Sequence, residues 1–370
     1  MNKTIVWDMP TRVFHWLLTM GFVAAWMTHD DNRFLYIHVF AGYVFLALLV
    51  FRLLWGVIGS HYARFHVFAH NWESVQAYLK GLITGEATRY IGHNPIGGWS
   101  IFLMIALGFL ITIAGMFVLG GEERHGPLAA VIPFAVGSAF KEVHEFGAWT
   151  MIIMVSIHVI GVIVESIFHK DNLIWAMVSG YKYNVKENKE NISRHNLAGV
   201  LILVLIFIAG IFTFKGYLTH TLENPFLPFK GPELPDNTVW RNECGDCHLA
   251  FHPTLLPARS WQKMMSQLDD HFGDAVFIDD DTTETIKQFL LTYSAESELS
   301  EPAYQINRST PKSETPLFIT KTHYWHKKHK DINKMYWDSE LVGSKSNCAA
   351  CHFDADLGTF EDAAMWLPKL

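Results

Sequence analysis

Five stretches of this chain carry almost no charge: Val13–Met27, Tyr36–Val57, Trp99–Gly120, Thr150–Ile167 and Leu197–Phe214. Each is near the roughly 20 residues that a helix needs to cross a bilayer. A backbone in hydrocarbon must satisfy its own hydrogen bonds, so helices are the expected form. Nothing comparable follows Phe214. Val13–Met27 is the shortest and resembles the apolar part of a secretory signal, but no small-residue cleavage site follows and a second span begins at once. A retained anchor is expected there.

Basic residues resist translocation, so their distribution predicts orientation. Lys3 and Arg12 precede the first span; Arg52, Arg64, Lys80 and Arg89 fall between the second and third; Lys170, Lys182, Lys186, Lys189 and Arg194 fall between the fourth and fifth. The other two connections hold only Arg33, Arg124 and Lys141. The N-terminus is therefore expected in the cytoplasm and everything beyond about residue 219 on the opposite side. Between spans, Val75, Tyr78, Leu79 and Leu82 recur at helical spacing and suggest a short interfacial helix around Trp72–Leu82.

Charge divides the chain where hydropathy does. Residues 1–218 hold 15 Lys+Arg against 13 Asp+Glu, and residues 219–370 hold 14 against 23. An acidic tail argues against nucleic acid and favours solubility or a basic partner. It follows a stretch from Asn224 to Pro235 with Pro225, Pro228, Pro232 and Pro235, read as an extended tether. A separate domain is expected from about Thr238, with short helices near Trp261–Leu268 and Thr283–Tyr293 and a polar loop over Ser294–Thr315.

The four cysteines all lie in that tail, as Cys244-Gly-Asp-Cys247-His248 and Cys348-Ala-Ala-Cys351-His352. Both fit CxxCH, the pattern of c-type haem attachment. Two thiols at this spacing reach the two vinyl groups of one porphyrin, and the adjacent histidine faces the iron. A zinc half-site or a redox-active CxxC would also use two thiols. A joint four-cysteine zinc site, however, leaves both following histidines unexplained. Each c haem needs a sixth ligand, for which the tail offers His252, His271, His323, His326 and His329, with Met264, Met265 and Met335 as rivals. Methionine at helical spacing more often fills a core, and His271 and His329 are the expected ligands.

Ionisable residues inside a membrane are costly and usually functional. His15 begins the first span, His38 the second, and His144 and His158 lie on the fourth. Fourteen residues separate His144 from His158, close to four helical turns, so both face one way at depths about 21 Å apart. The predicted topology pairs His38 with His144 on the outer side and His15 with His158 on the inner. Each pair would fill both axial positions of a b haem, which suits electron transfer because no site stays open. His93, in a Gly/Pro-rich turn, is expected to be structural; His61, His66 and His70 are expected to be ordinary loop histidines.

Two resemblances accompany these readings. Trp7-Asp8, Pro10-Thr11-Arg12, Phe14-His15-Trp16, His38, Gly42-Tyr43, Phe51-Arg52, Trp55-Gly56, Gly59-Ser60, Gly92-His93-Asn94-Pro95 and Gly97-Gly98 resemble the bacterial cytochrome b561 family, related to the b-type subunits of nickel-iron hydrogenases. That likeness covers about residues 4–185 and implies a four-helix haem bundle with the same four ligands. Trp240, Glu243–Ala250, Leu255-Leu256-Pro257-Ala258-Arg259-Ser260-Trp261, His271-Phe272-Gly273 and Asn347–His352 resemble the dihaem cytochrome c family over most of 238–370. There a histidine in a basic segment before the second attachment site aligns with His329, although His323 and His326 depart from the family pattern.

The expected architecture is mainly α. It comprises a four-helix transmembrane haem bundle over 1–190, a fifth transmembrane helix and tether over 191–237, and a small dihaem c domain over 238–370. The expected cofactors are two b haems and two covalent c haems. The expected function is electron transfer in a respiratory chain between membrane quinol and a periplasmic acceptor or donor protein. Two alternatives stay open: an oxidoreductase acting directly on superoxide or ferric iron, and a membrane anchor for a dehydrogenase or hydrogenase. The expected location is the bacterial inner membrane, in contact with lipid, with the C-terminal domain periplasmic.

Overall fold

The computed structural model describes residues 3–30, 34–129, 131–183, 192–217 and 234–370. Pro225, Pro228 and Pro232 of the expected tether lie outside the described residues. The helices are α1 (Met9–Met27), α2 (Leu35–Ile58), α3 (Phe65–Phe68), α4 (Trp72–Thr84), α5 (Pro95–Gly121), α6 (Phe134–Phe168), α7 (Leu173–Ser179) and α8 (Ile192–Tyr217). After the fifth apolar segment come α9 (Thr238–Gly245), α10 (Ala258–Met265), α11 (Asp280–Thr292), α12 (Glu301–Ser309), α13 (His323–His329) and α14 (Lys334–Trp337). Strands β1 (Lys3–Ile5) and β2 (Tyr181–Tyr183) pair antiparallel with Thr4 opposite Lys182.

Of the five apolar segments, α2, α5 and α6 are long and apolar enough to cross a membrane. The other two also form helices: α1 has 19 residues, and the apolar part of α8 is Asn196–Phe212. Contacts within the chain divide it into two compact units, Met1–Gly115 with Lys141–Thr219, and Met116–Phe140 with His220–Leu370.

In the first unit, local chemistry sets where α1 starts. Asp8 accepts from the Thr11 amide at 2.8 Å, and Pro10 in the first turn has no N–H to leave unpaired. The same carboxylate accepts from the Trp55 indole at 3.0 Å, which ties the start of α1 to α2. Around this link Phe14, Leu48, Phe51, Trp55 and Leu203 form a buried cluster joining α1, α2 and α8. Gly108 lets α5 approach α2, since a Cβ there would meet Leu49 at 2.9 Å. After α7, Gly180 adopts φ 88° and its carbonyl receives the Val6 and Trp7 amides at 2.9 and 3.2 Å. The expected helix near Trp72–Leu82 is α4, capped by Asn71.

In the second unit, Trp240, Leu256, Trp261, Ile286 and Leu290 form the core of the tail. The Trp261 indole donates to the Pro253 carbonyl at 2.7 Å, so even this buried polar atom is satisfied. Ser294–Thr315, expected as a polar loop, instead contains α12. Ser300 caps it, Pro302 sits in its first turn, and Ala303, Tyr304 and Ile306 are buried. Four of the nine residues of this helix bury, Pro302, Ala303, Tyr304 and Ile306, in a cluster too short to stand out as periodicity. The segment 116–140 packs within this unit: Phe134 meets Tyr304 at 4.6 Å, and His125, 1% exposed, lies 3.6 Å from the Glu361 carboxylate.

Candidate metal centres

The His38 and His144 rings face each other with centroids 5.9 Å apart. Two metal–imidazole bonds of about 2 Å each, plus the half-width of each ring, give roughly 6 Å across a shared metal. His38 Nδ1 lies 2.9 Å from the Ala25 carbonyl, and His144 Nδ1 lies 2.9 Å from the Ile111 carbonyl. A carbonyl only accepts, so each Nδ1 carries the proton and each Nε2 keeps its lone pair for a metal. Each ring is thereby held in orientation as well as in tautomer.

His15 and His158 lie within electrostatic reach of each other. The Nδ1 of His15 is buried with no hydrogen-bond partner among the described residues, a polar atom with a purpose still to be filled. One turn from His38, Gly42 meets no atom within 4 Å of where a Cβ would stand, which leaves space beside that ring.

The C-terminal histidines form two further facing pairs. His248 and His271 have centroids 6.2 Å apart and planes 22° apart; His329 and His352 are 6.2 Å apart at 63°. His248 Nδ1 contacts the Leu249 carbonyl at 2.7 Å, and His329 Nδ1 the Trp325 carbonyl at 2.8 Å, while the His329 ring also stacks on Trp325 at 4.3 Å. Burial, then the neighbouring His329, lowers His352 to about 4. Burial, then His248, lowers His271, and burial lowers His329. All three imidazoles are neutral at pH 7, the form that ligates a metal.

Cys244 ends α9, and Cys348 opens a single 3-10 turn in which the His352 amide returns to the Cys348 carbonyl at 2.9 Å. Each motif thus begins in a helical end or a local turn of the backbone. Burial, with Glu243, pushes the Cys244 thiol up to about 11, and burial pushes Cys348 up to about 11. A redox-active CxxC needs the opposite shift. All four thiols are free, and no cluster of three or more metal-binding side chains occurs among the described residues, so a four-cysteine zinc site is not assembled.

Of the rival ligands, Met264, Met265 and His252 are engaged elsewhere. Met265 and Met264 belong to the Trp240 core, and Met335 is exposed. Both nitrogens of His252 are engaged, by Thr254 Oγ1 at 2.8 Å and the Pro235 carbonyl at 3.1 Å. His323 and His326 are exposed.

Sequence reasoning passed over a polar network at the far end of α6. Tyr78 donates to the buried Glu165 carboxylate, and His169 Nε2 lies 3.6 Å from the other oxygen of that group. Nearby, Arg89 pairs with Asp171 at 2.6 Å. A phenol, a carboxyl and an imidazole in series can pass a proton. Glu165 stands seven residues beyond His158, two turns along and on the same face, a spacing legible in the sequence. A separate open cavity of about 390 Å³, lined by none of these three network residues, lies between Ile163, Ile167 and Ile174 and the polar Lys170 and Asp171.

Gly115 tests the His38–His144 pair. A Cβ there would stand 3.0 Å from Cε1 and Nδ1 of His144, so Gly115→Val should push the ring off the Ile111 carbonyl. The expected result by pyridine haemochrome is one b-type haem per chain with c haem unchanged; two b haems would show that the ring position is not critical.

A family model described as prokaryotic cytochrome b561 matches residues 6–180, and one described as dihaem cytochrome c matches residues 240–360. Among curated proteins, a probable Ni/Fe-hydrogenase B-type cytochrome subunit of Cupriavidus necator is 26% identical over 213 residues, 49% of this chain and 87% of that protein. The corresponding hydrogenase 1 subunit of Escherichia coli K12 is 26% identical over 223 residues, 50% of this chain and 94% of that protein. Among solved structures, a dihaem cytochrome c from Rhodobacter sphaeroides is 33% identical, with 35% of this chain and 100% of that one covered at a TM-score of 0.31.

Proposed function

Because the chain belongs to the prokaryotic cytochrome b561 family over residues 6–180 and to the dihaem cytochrome c family over residues 240–360, we propose that it carries electrons between the membrane quinone pool and a periplasmic redox protein. It is a membrane electron-transfer protein with two b haems and two c haems. Bound haem supplies a one-electron iron couple at each site; the chain's own residues set where each site stands and what reaches it.

In this reading His38 with His144 and His15 with His158 hold the b haems. His248 with His271 and His352 with His329 hold the c haems, attached through Cys244, Cys247, Cys348 and Cys351. The observation that carries it is the recurrence of one geometry, facing imidazoles 5.9 to 6.2 Å apart, at three of the four pairs. Filling both axial positions excludes small oxidants from the iron, which favours a relay over direct reaction with superoxide. The domain limits that accompany it are 1–190, 191–237 and 238–370, with the N-terminus cytoplasmic.

Quinone exchange requires a lipid-facing cleft and a proton source. In this reading the Tyr78–Glu165–His169 network would supply the proton, and the separate isoleucine-lined cavity near the end of α6 the cleft. The named relatives are hydrogenase subunits, so a dehydrogenase docked to the chain is the competing source of electrons. A short-chain quinol added to the purified full chain separates these cases. Reduction of both b- and c-type absorption bands is expected; bands that stay oxidised until a partner enzyme and its substrate are added would overturn the quinol reading.

A further inference from the structure

His93 leads the chain into α5, wedged between the rings of Trp7 and Phe68 at 4.7 and 4.5 Å. The charges acting on it are those of Arg52, Lys182, His158 and His15, so these five side chains share one neighbourhood. Arg52 is 4% exposed and Lys182 5%. The Nδ1 of His93 is buried without a hydrogen-bond partner among the described residues.

A cation removed from water is destabilising by several kcal/mol unless anions or acceptors replace the lost hydration. The carboxylates in reach are engaged elsewhere. Asp8 accepts from the Thr11 amide and the Trp55 indole, Asp171 pairs with Arg89, and Glu165 is held by Tyr78. Arg52 keeps one hydrogen bond, to the Ala63 carbonyl at 3.0 Å, and lies 4.6 Å from the centre of the Phe65 ring. Lys182 feels Asp171 and Glu165 only through space, with no carboxylate within 4.0 Å among the described residues. Two buried cations and both of these histidines thus lie within electrostatic reach of one ring nitrogen that has nothing to bond among the described residues.

The geometry points to Arg52, Lys182 and His93 as the binding site for the propionate carboxylates of the b haem at the His15–His158 level. The assignment rests on those two histidines being its axial ligands. It supplies directly bonded carboxylates for two buried cations that Asp8, Asp171 and Glu165 reach only through space, and an acceptor for the His93 nitrogen. It also has an electronic consequence. Cations fixed near the iron favour the state with one more electron, and in a water-poor site the effect is barely screened. The three side chains therefore hold this haem at a higher potential than its axial ligands alone would set.

The test is a redox titration of the purified full chain, in which the two b haems are resolved as separate components. Arg52→Gln and Lys182→Gln should each lower the potential of one b component and leave the other unmoved. Both b haems should persist by pyridine haemochrome, and Arg52→Lys, which keeps the charge, should recover most of the shift. Unchanged potentials in both variants with haem retained would overturn the assignment. So would an equal shift of both components in Arg52→Gln and Arg52→Lys alike, which reports loosened packing. If Arg52→Gln loses haem, Lys182→Gln and Arg52→Lys decide by the same criteria. His158→Ala tests the axial ligands separately: two b haems remaining there would reject the ligand assignment, whatever the cation variants do.

Discussion

Replacing His144 by alanine is expected to leave the chain with one b-type haem instead of two and its c haems intact, read by pyridine haemochrome on purified protein. The His144 ring is fixed by its Nδ1 bond to the Ile111 carbonyl and faces His38 at 5.9 Å. Loss of either member should therefore empty the same site. His38→Ala and the His38→Ala/His144→Ala double variant should give the same count, because two residues that act on one bound group do not add. His252→Ala is the contrasting control: both its nitrogens are bonded within the protein, so haem content should hold while stability falls by roughly 1–3 kcal/mol for the buried groups left unpaired. Two b haems surviving in His144→Ala would remove the His38–His144 pair as ligands.

The second large effect is covalent. Cys348→Ala/Cys351→Ala should halve the haem stain that survives denaturing electrophoresis, and replacing Cys244 and Cys247 as well should abolish it. The motifs are separate local turns, one ending α9 and one in the 3-10 turn at Cys348–Ala350, so loss at one should not disturb thioether formation at the other. Burial holds Cys244 and Cys348 as protonated thiols near pH 7. Neither motif is thus poised for disulfide exchange. A full stain after loss of one pair would show that the two motifs do not each hold a haem.

The features legible in the sequence are those whose signal is local. The helices α2, α5 and α6 follow from long, mostly apolar runs, because a helix in hydrocarbon satisfies its backbone within the segment itself. CxxCH is local in the same sense, since five residues bring two thiols and an imidazole together. His144 and His158 were readable as a pair of levels because one helix carries both at near-integral turns. Glu165 was equally readable by that rule, as it continues the same face two turns on. Ser294–Thr315 was less legible, since α12 buries only a few residues in a mostly polar stretch.

What the amino-acid order determined by itself was the division into an apolar helical part and an acidic haem-attachment part, and the residue types able to bind iron in each. Only the tertiary structure decided which of them meet. It brings His271 to His248 and His329 to His352, places Met264 and Met265 in the Trp240 core, and sets Arg52, Lys182, His15 and His158 within electrostatic reach of His93. It also joins residues 116–140 to the C-terminal segment through Phe134 and His125. These contacts bridge residues far apart in the chain. Their partners are selected by packing and by which ring nitrogens the backbone has already bonded, and neither leaves a periodic trace in the sequence.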